Sequence, residues 1–499
     1  MNQSFFEIAK VAPYAWQTEE VANHAITPKR ALFCSPRTGK TLGTLESLRR
    51  YIQEVCPGTP FRVLVVSPIT FAVDWADYLE AMGLCERLYE GSSKDARDFT
   101  AEYNRDKKRK TAGNVESAVI TYGMLGNVTR ERRNEAGELT SVSKSGCIEQ
   151  LLNWRPHAVI IDEAHRISGV SSKQGRACRR LAWNADWVRT LTGTPVPNHP
   201  GSMWGHMVCI DPEYWEGAYG RFQDQYLTID SFIHGKVLGW KNEEIASKFQ
   251  SNIRENACVV SREDVFGPDS WTYNTRRVHM PVSAWKVYSD LAKKWIADLE
   301  GGNLVEANHM LTRMMMLQQV ACGFVKDENG IVHDLHKEKA KAIGEDLSEI
   351  YAQGEKVVIF YKYVKEGDAI KNEILKKYPH RWFRHIQGNV KAVDRKKIAE
   401  DFNAVSGNAT ILAQIQTLTE GCSLKEAHHV FYASQTFSFI LEAQSRDRVY
   451  AFDGSKALAR VVTHYRVPGT IEDYIAKVVA AKVPMHNAIM QINRKDLGI

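Results

Sequence analysis

LFCSPRTGKT, residues 32–41, followed directly by LGTLESLRRYI, places a short apolar run, a loop ending Gly-Lys-Thr and a helix-compatible stretch in the order a phosphate cradle requires. Each residue type has a task there. Gly39 lets the backbone turn its N–H groups toward oxygen anions, Lys40 brings a positive charge to the β and γ phosphates, and Thr41 offers a hydroxyl to Mg2+ at the positive end of a helix dipole. Ser35, Pro36, Arg37 and Thr38 form the rest of the loop and complete the candidate ATP-binding set. Cys34 stands where the full G-x-x-x-x-G-K-[ST] pattern has its first glycine, so the motif is a half-match.

HAVIIDEAH, residues 157–165, supplies the complementary half. It is a buried strand that delivers Asp162 and Glu163 at its C-terminal end, where open α/β sheets bind ligands. Asp162 is the candidate Mg2+ ligand, with Thr41, and Glu163 the candidate that polarises an attacking water. An isolated Asp-Glu pair is ordinarily a surface loop, but an apolar strand before it and a Gly-Lys-Thr loop upstream favour the chemical reading.

Outward from these two motifs, short apolar runs bounded by turn residues recur. Ala31–Phe33, Arg62–Val66, Ala118–Thr121, Ala158–Ile161 and Val188–Leu191 each precede a loop and a helix-compatible stretch, which predicts a βαβ series. Lys356–Phe360, Arg384–Gln387, Thr410–Ala413, His429–Tyr432 and Ala459–Tyr465 predict a second one. Between them the spacing is helical, as in Trp285, Val287, Tyr288, Leu291 and Trp295. The fold class is therefore α/β, with a first lobe over residues 1–204, a helical insertion and linker over 205–335, and a second lobe over 336–499. RDKKRK at 105–110 and TRERRNEAGELTSVSKSG at 129–146 are too polar to pack inside and read as surface loops, either a plain solvated face or a nucleic-acid-contacting patch.

Bulk properties narrow the classes further. A chain of 499 residues exceeds what one core usually organises, and a net charge of +6 is mildly basic, short of the signature of a histone-like binder. Nine cysteines never form a C-x-x-C pair, so neither a zinc ribbon nor a disulfide framework is expected. The N-terminus lacks a basic flank with an apolar core, and no long uncharged apolar run follows. A cytoplasmic location without membrane attachment is the expectation.

With DEAH at 162–165 and TGTP at 192–195 the chain resembles a superfamily 2 helicase, and in detail the chromatin-remodeller-like (SWI/SNF-type) translocases, whose motifs it follows nearly end to end. YAWQTEEV at 14–21 is similar to the opening glutamine motif, VLVVSPITFAVDW at 63–75 and VITYGML at 119–125 to the next two, and LTGTPVPNHPGSMW at 191–204 to the threonine-glycine-threonine-proline segment. SREDV at 261–265 stands where the family has a basic segment. In the second half GEKVVIFYKY at 354–363, HIQGNVKAVDRKKIAEDFN at 385–403, LTEGCSL at 418–424, EAQSRDRVY at 442–450 and GTIEDYI at 469–475 keep the family's order.

The resemblance implies two RecA-like P-loop NTPase lobes that bind ATP and Mg2+ and move on DNA, duplex or branched more than single-stranded, in replication, recombination or repair. It implies that Gln17 reads the adenine edge, that His165, Thr192 and Thr194 couple the nucleotide to the track, and that Ser67, Thr121, Gly388, Thr419 and Gly421 meet the nucleic-acid backbone. Gln444 and Arg448 fit the family's hydrolysis register, but Ala451 occupies the place of its second arginine, and Arg446 is the nearest substitute. Ala451 keeps a nucleotide-gated DNA clamp with weak hydrolysis open as an alternative, beside an RNA helicase. Replication or recombination proteins are the partners implied. Oligomeric state and polarity are not legible.

Overall fold

The computed structural model describes residues 3–84, 88–89, 116–125, 128–133, 139–145, 147–196, 200–215, 219–229, 237–268, 271–300, 307–327, 329–418, 422–453, 456–457 and 459–481. The chain divides into two compact units, Met1–Val265 and Phe266–Ile499.

The first unit is built on a seven-stranded sheet of β1 (Lys29–Cys34), β2 (Arg62–Ser67), β3 (Leu88–Tyr89), β4 (Glu116–Thr121), β5 (Ala158–Asp162), β6 (Trp187–Thr192) and β7 (Ala257–Val260), in the spatial order β7-β1-β6-β5-β2-β4-β3. Every pairing is parallel. Such a sheet is covered on both faces, and the strands show it: Ala31, Phe33, Val159 and Ile161 pack into one apolar core while Leu32, Cys34, Ala158 and Ile160 pack into the other. Both faces being apolar, the strands read as continuous hydrophobic runs.

The second unit has a six-stranded parallel sheet of β8 (Thr272–Arg277), β9 (Lys356–Tyr361), β10 (Trp382–Ile386), β11 (Ala409–Gln414), β12 (His429–Tyr432) and β13 (Val461–Arg466), ordered β8-β13-β12-β9-β11-β10. The helices Val282–Glu300, Ala307–Ala321 and Ile471–Ala480 share a further core through Tyr288, Trp295, Leu317, Ile471 and Ile475.

The stretch 205–335, expected as one helical insertion and linker, is apportioned between the two units. Its first part packs Trp215, Phe222, Tyr226 and Phe249 onto the first sheet's core and ends in β7, the edge strand beside β1. Its second part opens with β8, a strand exposed at every position and paired only to β13. TYNTRR carries no apolar run because its place is an edge. The polar stretch 129–146 also differs from the expected loop: Val128–Arg133 and Leu139–Ser145 pair antiparallel as a hairpin. Residues 105–110 lie outside the described residues.

Candidate active site

Helix α1 (Lys40–Val55) starts at the end of the loop that leaves β1, and two of the loop's residues adopt the left-handed backbone region, Arg37 at φ +67° and Gly39 at φ +86°. Alternation of this kind turns successive N–H groups to one side and makes an anion-binding concavity at a helix N-terminus. Cys34 is the last residue of β1 and has no positive φ, so this backbone does not need glycine there. The loop is braced from inside. Thr38 Oγ1 donates to Ser35 O at 2.7 Å, and Trp16 Nε1 donates to Thr38 O at 3.1 Å.

Gln17 is 1% exposed, and both ends of its amide are engaged: Nε2 donates to Gly39 O at 2.8 Å and Oε1 accepts the Tyr14 N–H at 2.7 Å. It ties the helix Ala15–His24 to the loop. Gly39 is favoured there by its φ of +86°, and a Cβ added at it would lie 2.5 Å from Gln17 Nε2 and displace that amide from the loop. On the other side, a Cβ at Gly193 would lie 2.7 Å from Pro36 Cδ, which seats the Thr-Gly-Thr segment directly against the loop.

Asp162 closes β5 at 6% exposure. Trp75 Nε1 donates to its Oδ2 at 2.8 Å, the Glu163 N–H donates to its Oδ1 at 2.9 Å, and Tyr122 OH donates to its main-chain carbonyl at 2.7 Å. Burial, reinforced by the neighbouring Glu163 charge, pushes its carboxyl up to about 6, against the pull of Lys40 and the two donors. A carboxylate gathered from β5 and a lysine from α1 thus share one field. Glu163 itself sits in the left-handed region at φ +49°, with Oε2 3.2 Å from His165 Nδ1. His165 Nδ1 lies 3.4 Å from Thr192 Oγ1, which accepts the Thr194 N–H at 3.1 Å. Beneath this chain of contacts His206 is fully buried, its ring edge-on to Phe33 and lowered to about 3 by burial, hence neutral.

The candidate track residues are arranged differently. Ser67 and Thr121 are paired in register at the C-terminal ends of β2 and β4; both are buried, and Ser67 Oγ donates to Pro68 O. Gly388 has open space where a side chain would stand. Thr419 and Gly421 lie outside the described residues.

In the second unit Gln444, Arg446 and Arg448 follow one another on the helix Phe439–Val449. Arg446 Nη1 donates to Tyr273 OH at 3.2 Å, while Arg448 Nε donates to Gln444 O at 3.3 Å. Ala451 is buried at 8% exposure. Arg395 gathers three loop carbonyls: Nε to Val390 O at 2.8 Å, Nη1 to Thr417 O at 2.9 Å and Nη2 to Gly388 O at 3.4 Å. Sequence reading missed Tyr122 and Arg395 as participants. The only trace of them is position, Tyr122 one residue after Thr121 and Arg395 within the 385–403 motif.

A family model described as SNF2-related domain matches residues 32–324, well over half the chain, and one described as helicase conserved C-terminal domain matches residues 339–452. The chain belongs to the SNF2-related family. This SNF2-related chain is 21% identical over 452 residues to YwqA of Bacillus subtilis, whose name carries ATP-dependent helicase/translocase, covering 86% of this chain and 43% of that one. It is 29% identical over 182 residues to DNA repair protein rad5 of Neurospora crassa, covering 36% and 14%. The chain spans less than half the length of the curated relatives it matches. Among solved structures, the helicase domain of Pyrococcus furiosus Hef shares the fold, with a TM-score of 0.51, 14% identity and coverage of 95% of this chain and 99% of that one. No helix among the described residues is long and apolar enough to cross a membrane.

Proposed function

We propose that this SNF2-related chain is a DNA-dependent ATPase that couples ATP hydrolysis to movement on duplex or branched DNA. The observation that carries the reading is the buried Asp162 carboxylate, held by Trp75 and the Glu163 N–H and within the field of Lys40, beside a loop whose Arg37 and Gly39 turn left-handed. Left-handed cradle, lysine and strand-end carboxylate together fit a magnesium nucleotide and little else.

In this reading the N–H groups of residues 37–41 and the Lys40 ammonium bind the phosphates, and Thr41 and Asp162 hold Mg2+, which when bound neutralises phosphate oxygens. Each Asp162 oxygen accepts one hydrogen bond and retains a lone pair for that task. Glu163 takes the proton of the attacking water. His165, Thr192 and Thr194 pass the nucleotide state along the contacts described above. Gln444 with Arg446 or Arg448 serves hydrolysis, and Gly388, Thr419 and Gly421 meet the DNA backbone, as backbone-directed contacts without sequence choice. The names of YwqA and rad5 support DNA translocation and a repair setting.

The test is the ATPase rate without polymer and with single-stranded DNA, duplex DNA, branched DNA and RNA. Stimulation by duplex or branched DNA is expected, with turnover abolished and DNA binding largely kept in Lys40→Ala. Stimulation by RNA alone, or hydrolysis that survives Lys40→Ala, would overturn the assignment.

A further inference from the structure

At one edge the sheet of the second unit ends on two arginines. Arg277 is the last residue of β8 and Arg466 the last of β13, and the register pairs them, so both side chains leave the same face of adjacent parallel strands. The Val278 N–H donates to Arg466 O at 2.8 Å and locks the two strand ends together. Neighbouring strands lie about 4.8 Å apart, a separation at which like charges directly opposite destabilise a sheet.

Nothing within the unit offsets that opposition. Among the described residues neither guanidinium makes a hydrogen bond or an ion pair; Arg466 Nε is buried without a partner, and Arg277 is exposed. Arg276, on the opposite face, differs in lying 3.6 Å from Asp346 and 3.8 Å from Glu345. The carboxylates in the field of Arg466 are Asp473, Glu472 and Glu442, and each is already engaged. Asp473 accepts the Gly469 N–H at 2.7 Å, Glu472 holds Lys339 at 2.5 Å and the Val467 N–H at 2.8 Å, and Glu442 accepts Gln435 Nε2 at 2.9 Å and lies 3.1 Å from His464. Burial outweighs their pull and leaves the Arg466 guanidinium below its usual range. Arg466 opens onto a groove of about 500 Å³ whose lining includes Thr470, Asp473 and Lys477. With Arg277 beside it, three cations stand against the one carboxylate of that lining, Asp473. The first N–H groups of the helix Ile471–Ala480 are taken, by Tyr288 OH at Ile471 and by Thr470 Oγ1 at Glu472, so an anion here falls to the side chains.

We infer that Arg277 and Arg466 together clamp a phosphate of the DNA backbone. The inference rests on the proposed DNA-dependent activity. The carboxyl ends of the strands form the rim at which open α/β sheets bind ligands, and Gly388, assigned above to the DNA backbone, follows β10 on that same rim. The sheet order puts β10 four strands from β13, about 19 Å at 4.8 Å per step, a span of roughly five to six nucleotides of one strand at 3.4 Å each. A phosphate between the two guanidiniums accepts from both, removes their opposition and fixes the backbone at a second point of the rim, without sequence choice.

The experiment compares the full chain with Arg277→Gln and with Arg277→Gln/Arg466→Gln. Fluorescence anisotropy on a labelled DNA duplex gives Kd across a salt series. One phosphate neutralised contributes about 0.9 to the log–log salt slope, so the double variant should lose about that much and bind roughly eightfold more weakly near 0.1 M salt, the difference closing toward 1 M. Its polymer-free ATPase rate should match the wild type. Arg277→Gln alone changes an exposed side chain and relieves the opposition, so without DNA its melting temperature should rise by about 1–2 °C. A melting temperature lowered by Arg277→Gln would show that the pair serves the fold and overturn the clamp. An unchanged slope in both variants, with a wild type that binds duplex, overturns the clamp alone, including when the pair proves to hold free phosphate. A wild type that shows no salt-dependent duplex binding overturns the proposed function together with it.

Discussion

Trp75→Phe tests the carboxylate at the centre of the site. The indole Nε1 is 2.8 Å from Asp162 Oδ2, and phenylalanine keeps most of the ring's packing while removing that donor. A hydrogen bond to a charged group is worth about 1.5–3 kcal/mol, and about 1.4 kcal/mol corresponds to one pH unit in an acid's pKa. The Asp162 carboxyl, already pushed up to about 6, should therefore titrate about one to two pH units higher in the variant. The sign is fixed: burial favours the protonated acid, the lost donor had favoured the carboxylate, so removing it moves the acid limb toward alkaline pH. At pH 7 the ionised fraction falls from about nine-tenths to between a tenth and a half, and kcat/KM for ATP falls about two- to tenfold. The loss should vanish near pH 9. The assay is the pH profile of kcat/KM for ATP at fixed saturating duplex DNA, with melting temperature followed in parallel. A uniform loss at every pH, with the acid limb unmoved, would refute the argument that Trp75 acts through the Asp162 charge.

Other substitutions probe the rest of the site. Gly193→Ala puts a methyl where Pro36 Cδ would be 2.7 Å away; overpacking of about 1–3 kcal/mol displaces the loop and should lower kcat/KM for ATP about five- to a hundredfold, with little change in melting temperature. Arg395→Met leaves the carbonyls of Gly388, Val390 and Thr417 without their shared donor, and should raise the DNA concentration for half-maximal stimulation about tenfold while the polymer-free ATPase rate holds; equal effects on both rates would refute a role confined to those loops. One of Arg446→Ala and Arg448→Ala is expected to lower DNA-stimulated kcat by about 10³, and wild-type turnover in both variants would refute an acting arginine on this helix. Ala451→Arg must place a long cation at a buried position and should lower the melting temperature without raising turnover; a rise in turnover would return the missing arginine to that place.

The central strands were legible because a parallel sheet covered on both faces demands apolar residues at every position. Val63, Leu64, Val65 and Val66 are fully buried, alternating between two cores, and any reader of hydropathy finds them. The edges were not. Thr272–Arg277 has a neighbour on one side only and no cover over its side chains, so no pattern separates it from a loop. The strands Val128–Arg133 and Leu139–Ser145 have the same difficulty, since they pair in a ladder although neither sequence carries an apolar run. Within the site, the phosphate loop and Asp162 were readable from local spacing. Their supports were not, because Trp75 reaches Asp162 across 87 residues and Pro36 meets Gly193 only after the sheet has brought β1 beside β6.

The sheet order explains why so much converges on one carboxylate. β5 lies between β6 and β2, so the C-terminal end of β5 receives Trp75 from the helix after β2, Tyr122 from the turn after β4 and the Thr192 neighbourhood from β6. Lys40 comes from the helix after β1, one strand further out. Each of these groups is set by a different strand-to-helix turn, and all of them end at Asp162 or its neighbours. A change in any one turn is therefore felt as a change in the charge or position of that carboxylate. Cys34 at the start of the loop continues a strand with an ordinary backbone conformation, whereas Gly39 stands at φ +86° and a methyl at Gly193 would press on the Pro36 ring.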